Sequence, residues 1–209
     1  MRALFIVFMS AIAGLALAQH QPDSGAEVTA QLNSWLDAQY QEELAFSPMA
    51  LTRLGSRELY DRIDDYSEAA LDEKFKWRQA SVAKLKDRFD RAELSAEGKI
   101  SYDYWIYRLK RARDGLAYRR HDYIFEQMNS RHTSFPQFLI NQHDVESDSD
   151  MRAYIARIQG SARAIDQLLE RAKMAAKEGI RPPRFAYRAF KDRTLSWEMT
   201  LEERAKIPV

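Results

Sequence analysis

Residues 147–183 read SDSDMRAYIARIQGSARAIDQLLERAKMAAKEGIRPP, and the fold class follows from how this stretch repeats. Met151, Tyr154, Ile155, Ile158, Ala162, Ile165, Leu169, Ala172 and Ala176 recur at steps of three and four. That period puts them on one face of a single long helix. Ser147 and Asp148 offer capping oxygens at its start. Gly179 followed by Ile180 provides a glycine stop, and Pro182-Pro183 bars continuation. At about 1.5 Å per residue the helix is roughly 45 Å long, so other helices must lie along it.

The chain upstream supplies them. Ser24 and Glu27 have capping-box spacing, and Val28, Leu32, Trp35, Leu36, Tyr40 and Leu44 form the stripe of a first helix. It stops before Ser47-Pro48, where Ser47 can cap and Pro48 can open a short helix that Gly55 ends. Tyr60 to Tyr66 is a loop, and its Asp61, Asp64 and Asp65 lack the glycine and distal glutamate of a calcium loop, so they read as a solvated turn. Ser67 caps a helix with the face Leu71, Phe75, Val82, Leu85 and Phe89, interrupted by Arg78. From Ile100 to Ala117 an aromatic-rich segment has apolar residues on more than one face, which predicts a central helix. Tyr118 to Val145 is the least regular part: Asn129-Ser130 signals a turn, and Phe135-Pro136 is expected to block a helix from running through. Beyond Pro183, Phe185, Tyr187, Ala189 and Phe190 suggest a last helix whose pattern weakens after Asp192. The expected fold is all-α: one bundle of long helices with short irregular connections over residues 24–209, after a signal peptide at 1–18.

That leader has Met1-Arg2 as its positive start, an apolar core from Ala3 to Ala13, and Ala16-Leu17-Ala18 as a small-x-small cleavage site. It is short for a membrane span, and no cysteine follows to carry a lipid anchor. The product is therefore expected in the periplasm or secreted, with no membrane association after cleavage. Removing Arg2 from 32 basic residues leaves 31 against 31 acidic ones, so no global field draws the chain to nucleic acid. The absence of cysteine excludes disulfides, thiolate zinc and cysteine catalysis. With only 7 glycines and 6 prolines in 209 residues, a turn-rich β architecture is disfavoured.

Motifs for chemistry are few. His121, His132 and His143 lie 11 residues apart, a spacing without helical phase, and no His-Glu-x-x-His occurs; they read as hydrogen-bonding or surface histidines rather than zinc ligands. There is no Gly-x-Ser-x-Gly elbow and no phosphate loop. Arg108, Lys110, Arg111, Arg113, Arg119 and Arg120 form a basic cluster beside aromatics, best read as partners for acids elsewhere in this charge-balanced chain.

Several segments resemble the N-terminal half of domain-of-unknown-function family 885, a bacterial family of exported proteins. They are Ser47-Pro48, Leu94-Ser95-Ala96-Glu97, Glu126 to His132 before Phe135-Pro136, Asp150 to Ile158, and Gly179-Ile180-Arg181-Pro182-Pro183-Arg184. The similarity covers roughly residues 27–190. The family resembles helical zinc metallopeptidases whose His-Glu-x-x-Pro-Gly-His helix lies downstream of the region matched here. In such a motif two histidines bind the metal and the glutamate activates water. This chain has no such stretch, so the resemblance transfers no catalytic or metal-binding residue and implies zinc only in a full-length member. It implies a truncated or split hydrolase, inactive alone; the alternative is a self-standing periplasmic binding or interaction module. Asn129, His132 and Pro136 match a recurrent loop and are expected to be substrate-side or structural. The expected partners are the missing C-terminal catalytic half or a second copy. An uncovered apolar patch is expected around the end of the long helix and residues 185–201.

Overall fold

In the computed structural model, which describes residues 24–126 and 130–186, every regular element is helical. The order is α1 (Ser24–Leu44), α2 (Pro48–Arg53), α3 (Glu68–Arg88), α4 (Ala96–Gly115), α5 (Arg131–Gln142) and α6 (Asp148–Lys177), with 3-10 turns at Arg91–Glu93 and Leu116–Tyr118. The expected leader, Asn129, and the last helix beyond its start at residues 184–186 lie outside the described residues. Among those described, no helix is long and apolar enough to cross a membrane.

The ends of the decisive helix are as its sequence implies. The Ser147 hydroxyl accepts the Asp150 N–H at 3.2 Å. At the other end Gly179 turns left-handed at φ +86, which lets the Ile180 N–H reach the Ala175 carbonyl at 2.9 Å. Ser67 caps α3 in the same way, through the Ala70 N–H.

The bundle has two cores. In the first, α1, α3 and α4 enclose Leu32, Val82, Leu85, Phe89, Tyr102 and Trp105. The Trp105 indole N–H donates to the buried Ser81 hydroxyl at 3.0 Å, which satisfies its one polar atom. Arg78 interrupts the α3 stripe because it pairs with Glu43 of α1, which also takes Arg108 of α4 at 2.6 Å. In the second core, α2, the 60s loop, α5 and α6 enclose Met49, Ile63, Phe135, Phe138, Ala164 and Leu168. Glu68 of α3 joins the two units by pairing with Arg119, Arg120 and Arg171 of α6.

Three expectations are corrected. The helix α5 runs through Pro136 instead of stopping at it. A proline inside a helix costs about 3 kcal/mol, and burying Phe135 and Phe138 returns roughly 1.5–3 kcal/mol each. The helix α4 packs on both α1 and α3, yet its far side is open, with Ile100 70% and Tyr104 59% exposed. Most consequentially, α6 buries Asp150, Arg157, Ser161, Ala164, Leu168 and Ala175. That face lies one residue, about 100°, from the apolar stripe. Small side chains there let neighbours approach closely: a Cβ on Gly160 would already lie 3.4 Å from Ile63. The stripe is left half-exposed at Met151, Ile155, Ile158 and Leu169. The exposed apolar surface runs from Met151 to Leu169, interrupted by Tyr154 and Ile165, which are half-buried against the second core; of the expected patch at residues 185–201, all beyond 186 lies outside the described residues. Leu168 is buried, Ala172 is half-buried, Phe185 is exposed, and Phe190 lies outside the described residues.

Gly25 makes a close approach of a different kind. A Cβ there would sit 2.7 Å from the Ser95 nitrogen and 2.9 Å from the Leu94 carbonyl carbon, both backbone atoms that cannot swing aside. Gly25→Ala is expected to cost about 1–3 kcal/mol by pushing α1 off the turn before α4. Gly115→Ala, also in a helix, meets nothing within 4 Å and serves as the control that carries only alanine's gain in helix propensity. Thermal unfolding of the two variants checks this: equal melting temperatures would show that the contact at Gly25 does not constrain α1.

Candidate functional site

A cleft of about 570 Å³ opens between the two units, walled by the α1–α2 turn, the 60s loop, α3 and α6. The loop enters it from Leu59, which adopts a left-handed φ of 51, a conformation that costs a β-carbon-bearing residue roughly 1–2 kcal/mol. It is then pinned on both sides. Asp64 caps α2: its carboxylate accepts the Ser47 hydroxyl at 2.7 Å and the Met49 N–H at 2.9 Å. Ser47 itself makes no side-chain cap. Asp65 accepts the Ser67 N–H and the Gln167 amide, both at 2.9 Å, while the Gln167 carbonyl accepts the Tyr66 N–H at 3.0 Å. The three aspartates are thus not a solvated turn. Two of them bind the loop to α2, α3 and α6, and Asp61, which is exposed, makes no hydrogen bond or ion pair among the described residues.

The charges in this wall are unequal. Burial pushes the Asp65 carboxyl up, but the Ser67 donors, Arg163 and Gln167 more than offset that and hold it below the usual range. Burial raises the Tyr66 phenol to about 12, helped by Asp64. Lys74, reaching in from α3, has no hydrogen bond or ion pair among the described residues, and burial pulls its ammonium below the usual lysine range, with Arg78 and Arg108 adding to the effect against Glu43 and Asp64. Such an ammonium gains from an incoming anionic group. The exposed Glu73 and Asp61 are placed for a cationic one. Among the described residues no histidine lines the cleft, and no three His, Asp or Glu side chains converge to hold a metal.

Behind the loop lies Arg157, fully enclosed and without a carboxylate. Its Nε donates to the Arg62 carbonyl at 2.9 Å, one terminal nitrogen to the Thr52 hydroxyl at 2.7 Å, and the other to His143 Nδ1 at 2.8 Å. The rings of Tyr60 and Phe138 lie 4.7 and 5.1 Å from the guanidinium carbon. A guanidinium only donates, so His143 Nδ1 must be bare. Its proton is then on Nε2, which donates to the Asp150 carbonyl at 3.1 Å. Burial, and Arg157 itself, keep His143 below the usual histidine range. The Asp150 carboxylate, held by Arg57 and Ser147, falls to about 2. This imidazole is a structural wedge: both ring nitrogens are engaged and Tyr60 stacks on it at 4.1 Å.

Of the residues singled out in the sequence, His132 falls in the first turn of α5, Pro136 lies within α5 and does not line the cleft, and Asn129 is outside the described residues. His121 is exposed beside Tyr118. Lys74 and Arg157 carried no signal, since a lysine or arginine on an amphipathic helix looks alike whether it ends in water or in a core. In the basic cluster, Arg108 binds Glu43, Lys110 binds Asp114, Arg119 binds Glu68 and Asp72, and Arg120 binds Glu178.

A family model described as a bacterial protein of unknown function (DUF885) matches residues 48–204, from α2 onward. No curated protein and no solved structure matches the chain.

Proposed function

The chain belongs to the DUF885 family of bacterial proteins of unknown function, and on that premise we propose that it is the N-terminal helical part of an exported, zinc-metallopeptidase-like protein. It contributes a ligand-holding wall, and the catalytic zinc is held elsewhere. The observation that carries this reading is the cleft. At about 570 Å³ it has room for a peptide-like ligand and offers Lys74 for an anionic group and Asp61 and Glu73 for a cationic one, and among the described residues that line it there is no histidine to activate water. The sequence contains no His-Glu-x-x-Pro-Gly-His, so no catalytic step is assigned to these residues. The experiment expresses the chain with its own N-terminus and reads three things: cleavage after Ala18, zinc after dialysis, and peptide hydrolysis. Cleavage is expected, with no stoichiometric zinc and no turnover until a polypeptide bearing the zinc motif is supplied. About one zinc per chain, lost in His132→Ala, would overturn the reading.

A second reading, a self-standing periplasmic binding module, is favoured by the Arg157 network, which closes α2, the 60s loop and α6 on one another within the chain. It requires a cooperative melt from the chain alone. A loose, dye-binding state would exclude it.

A further inference from the structure

The uncovered stripe on α6 has a stricter order than amphipathy requires. Met151, Ile155, Ile158, Ala162, Ile165 and Leu169 follow in steps of 4, 3, 4, 3 and 4, which is the seam of a heptad repeat. Met151, Ile155, Ile158 and Leu169 remain 43–50% exposed. One flank of the seam faces the protein's own core at Ser161, Leu168 and Ala175. The other flank, Arg152, Gln159, Asp166 and Lys173, is open to water, and among the described residues Arg152 and Asp166 have no ion-pair partner although neighbouring charges on α6 do.

We propose that this seam is the interface of a dimer in which the α6 of a second copy lies antiparallel across it, with the twofold axis close to Gln159. The charges select the arrangement. In this register Arg152 faces Asp166 of the partner subunit at both ends, and Gln159 faces Gln159 of the partner subunit. Meanwhile Ile158 packs on Ala162 of the partner subunit, Ile155 on Ile165 of the partner subunit, and Met151 on Leu169 of the partner subunit. A shift of one heptad in one direction sets Arg152 against Lys173 of the partner subunit; a larger one in that direction sets Asp166 against Asp166 of the partner subunit. A parallel pair would need charges on the flank that α6 buries in its own core, and there are none. The contact is about 27 Å long from Met151 to Leu169. It ends at an apolar groove of about 560 Å³ between Leu169, Tyr123, Ile124 and Ile180, roomy enough for the incoming Met151 of the partner subunit. The inference does not depend on which reading of function holds.

The test uses the full chain expressed with its own N-terminus. Sedimentation at about 100 μM is expected to show a dimer with a micromolar dissociation constant. Ile158→Glu should weaken it at least about thirtyfold without changing the melting of the monomer, because Ile158 is half in water. Arg152→Glu should weaken it roughly tenfold, and adding Asp166→Arg should restore it. The chain has no cysteine of its own, so a Gln159→Cys variant should cross-link to itself with a short bismaleimide, and Lys173→Cys should not. A monomer at that concentration overturns the proposal. So does a dimer indifferent to Ile158→Glu or to the charge exchange. A monomer that Ile158→Glu destabilises would also overturn it and would place another helix of the same chain, or a different partner, on the seam.

Discussion

Replacing Arg157 by alanine is expected to lower the stability of this protein by about 4 kcal/mol, the largest effect of any single change considered. The guanidinium is fully enclosed, and three acceptors depend on it: the Arg62 carbonyl, the Thr52 hydroxyl and His143 Nδ1. Alanine would strand all three in a site shut off from water and leave a void between Tyr60 and Phe138. For a chain of this size each kcal/mol is worth roughly 2–4 °C, so the melting temperature should fall by about 8–16 °C. Arg157→Lys keeps the charge but not the planar fork that reaches three directions, and should lose roughly half as much. Urea unfolding of both variants measures this, and a loss under about 1 kcal/mol for alanine would mean that water replaces the side chain. Acid should do part of the same damage reversibly. The folded protein binds the His143 proton more weakly than the unfolded chain does, so stability rises with pH through this region. The contribution is complete above about 6.5, the ordinary histidine value, and is lost as pH falls below it. A proton on Nδ1 would face the Arg157 donor with nothing to accept it.

Glu43→Gln should cost about 3 kcal/mol, the next largest effect. Its carboxylate is buried where α1, α3 and α4 meet, between Arg78 and Arg108. Burial pushes the carboxyl up, but the hydrogen bonds and charges of the two arginines outweigh that and hold it below its ordinary value. The amide leaves two half-buried guanidinium groups facing each other without an anion. The test of mechanism is the triple change Glu43→Leu, Arg78→Met, Arg108→Met: it should regain most of the loss, because replacing a buried ionic group whole is far less costly than breaking it. If the triple variant is no better than Glu43→Gln, the loss is one of packing and not of charge. Since the folded pKa is depressed, Glu43 contributes fully above about 4.5 and its share is lost as pH falls through lower values. The pH dependence of the unfolding free energy should therefore be shallower below pH 4.5 in Glu43→Gln than in the parent chain.

Local chemistry was legible along the chain. The caps at Ser67 and Ser147, the stops at Gly55 and Gly179, and the period of three and four each follow from a few neighbouring residues, and each is present in the fold. Pro136 misled because the rule for proline is local, whereas α5 is held by the burial of Phe135 and Phe138 against α6. The cleft was not legible. Its walls come from segments about 100 residues apart, such as Tyr66 and Gln167. Nothing in the run Asp61 to Asp65 distinguishes an aspartate that caps a distant helix from one that faces water.

The sequence by itself determined that the chain is helical, where α3 and α6 begin and end, and that it carries no His-Glu-x-x-Pro-Gly-His motif, whereas α4 starts at Ala96 behind the Ser95 cap and not at Ile100. Helix formation and capping depend on contacts within one or two turns, so spacing alone decides them. Only the tertiary structure decided which face of α6 goes inward. Hydrophobicity favours the stripe from Met151 to Ala176, but burial also requires neighbours to approach closely and polar groups to find partners. Gly160, Ser161 and Ala164 allow the approach, and Arg157 meets three acceptors there. The smaller, more polar face therefore became the core, and the greasier one was left outward at Met151, Ile155, Ile158 and Leu169, with Tyr154 and Ile165 half-buried at the core's edge.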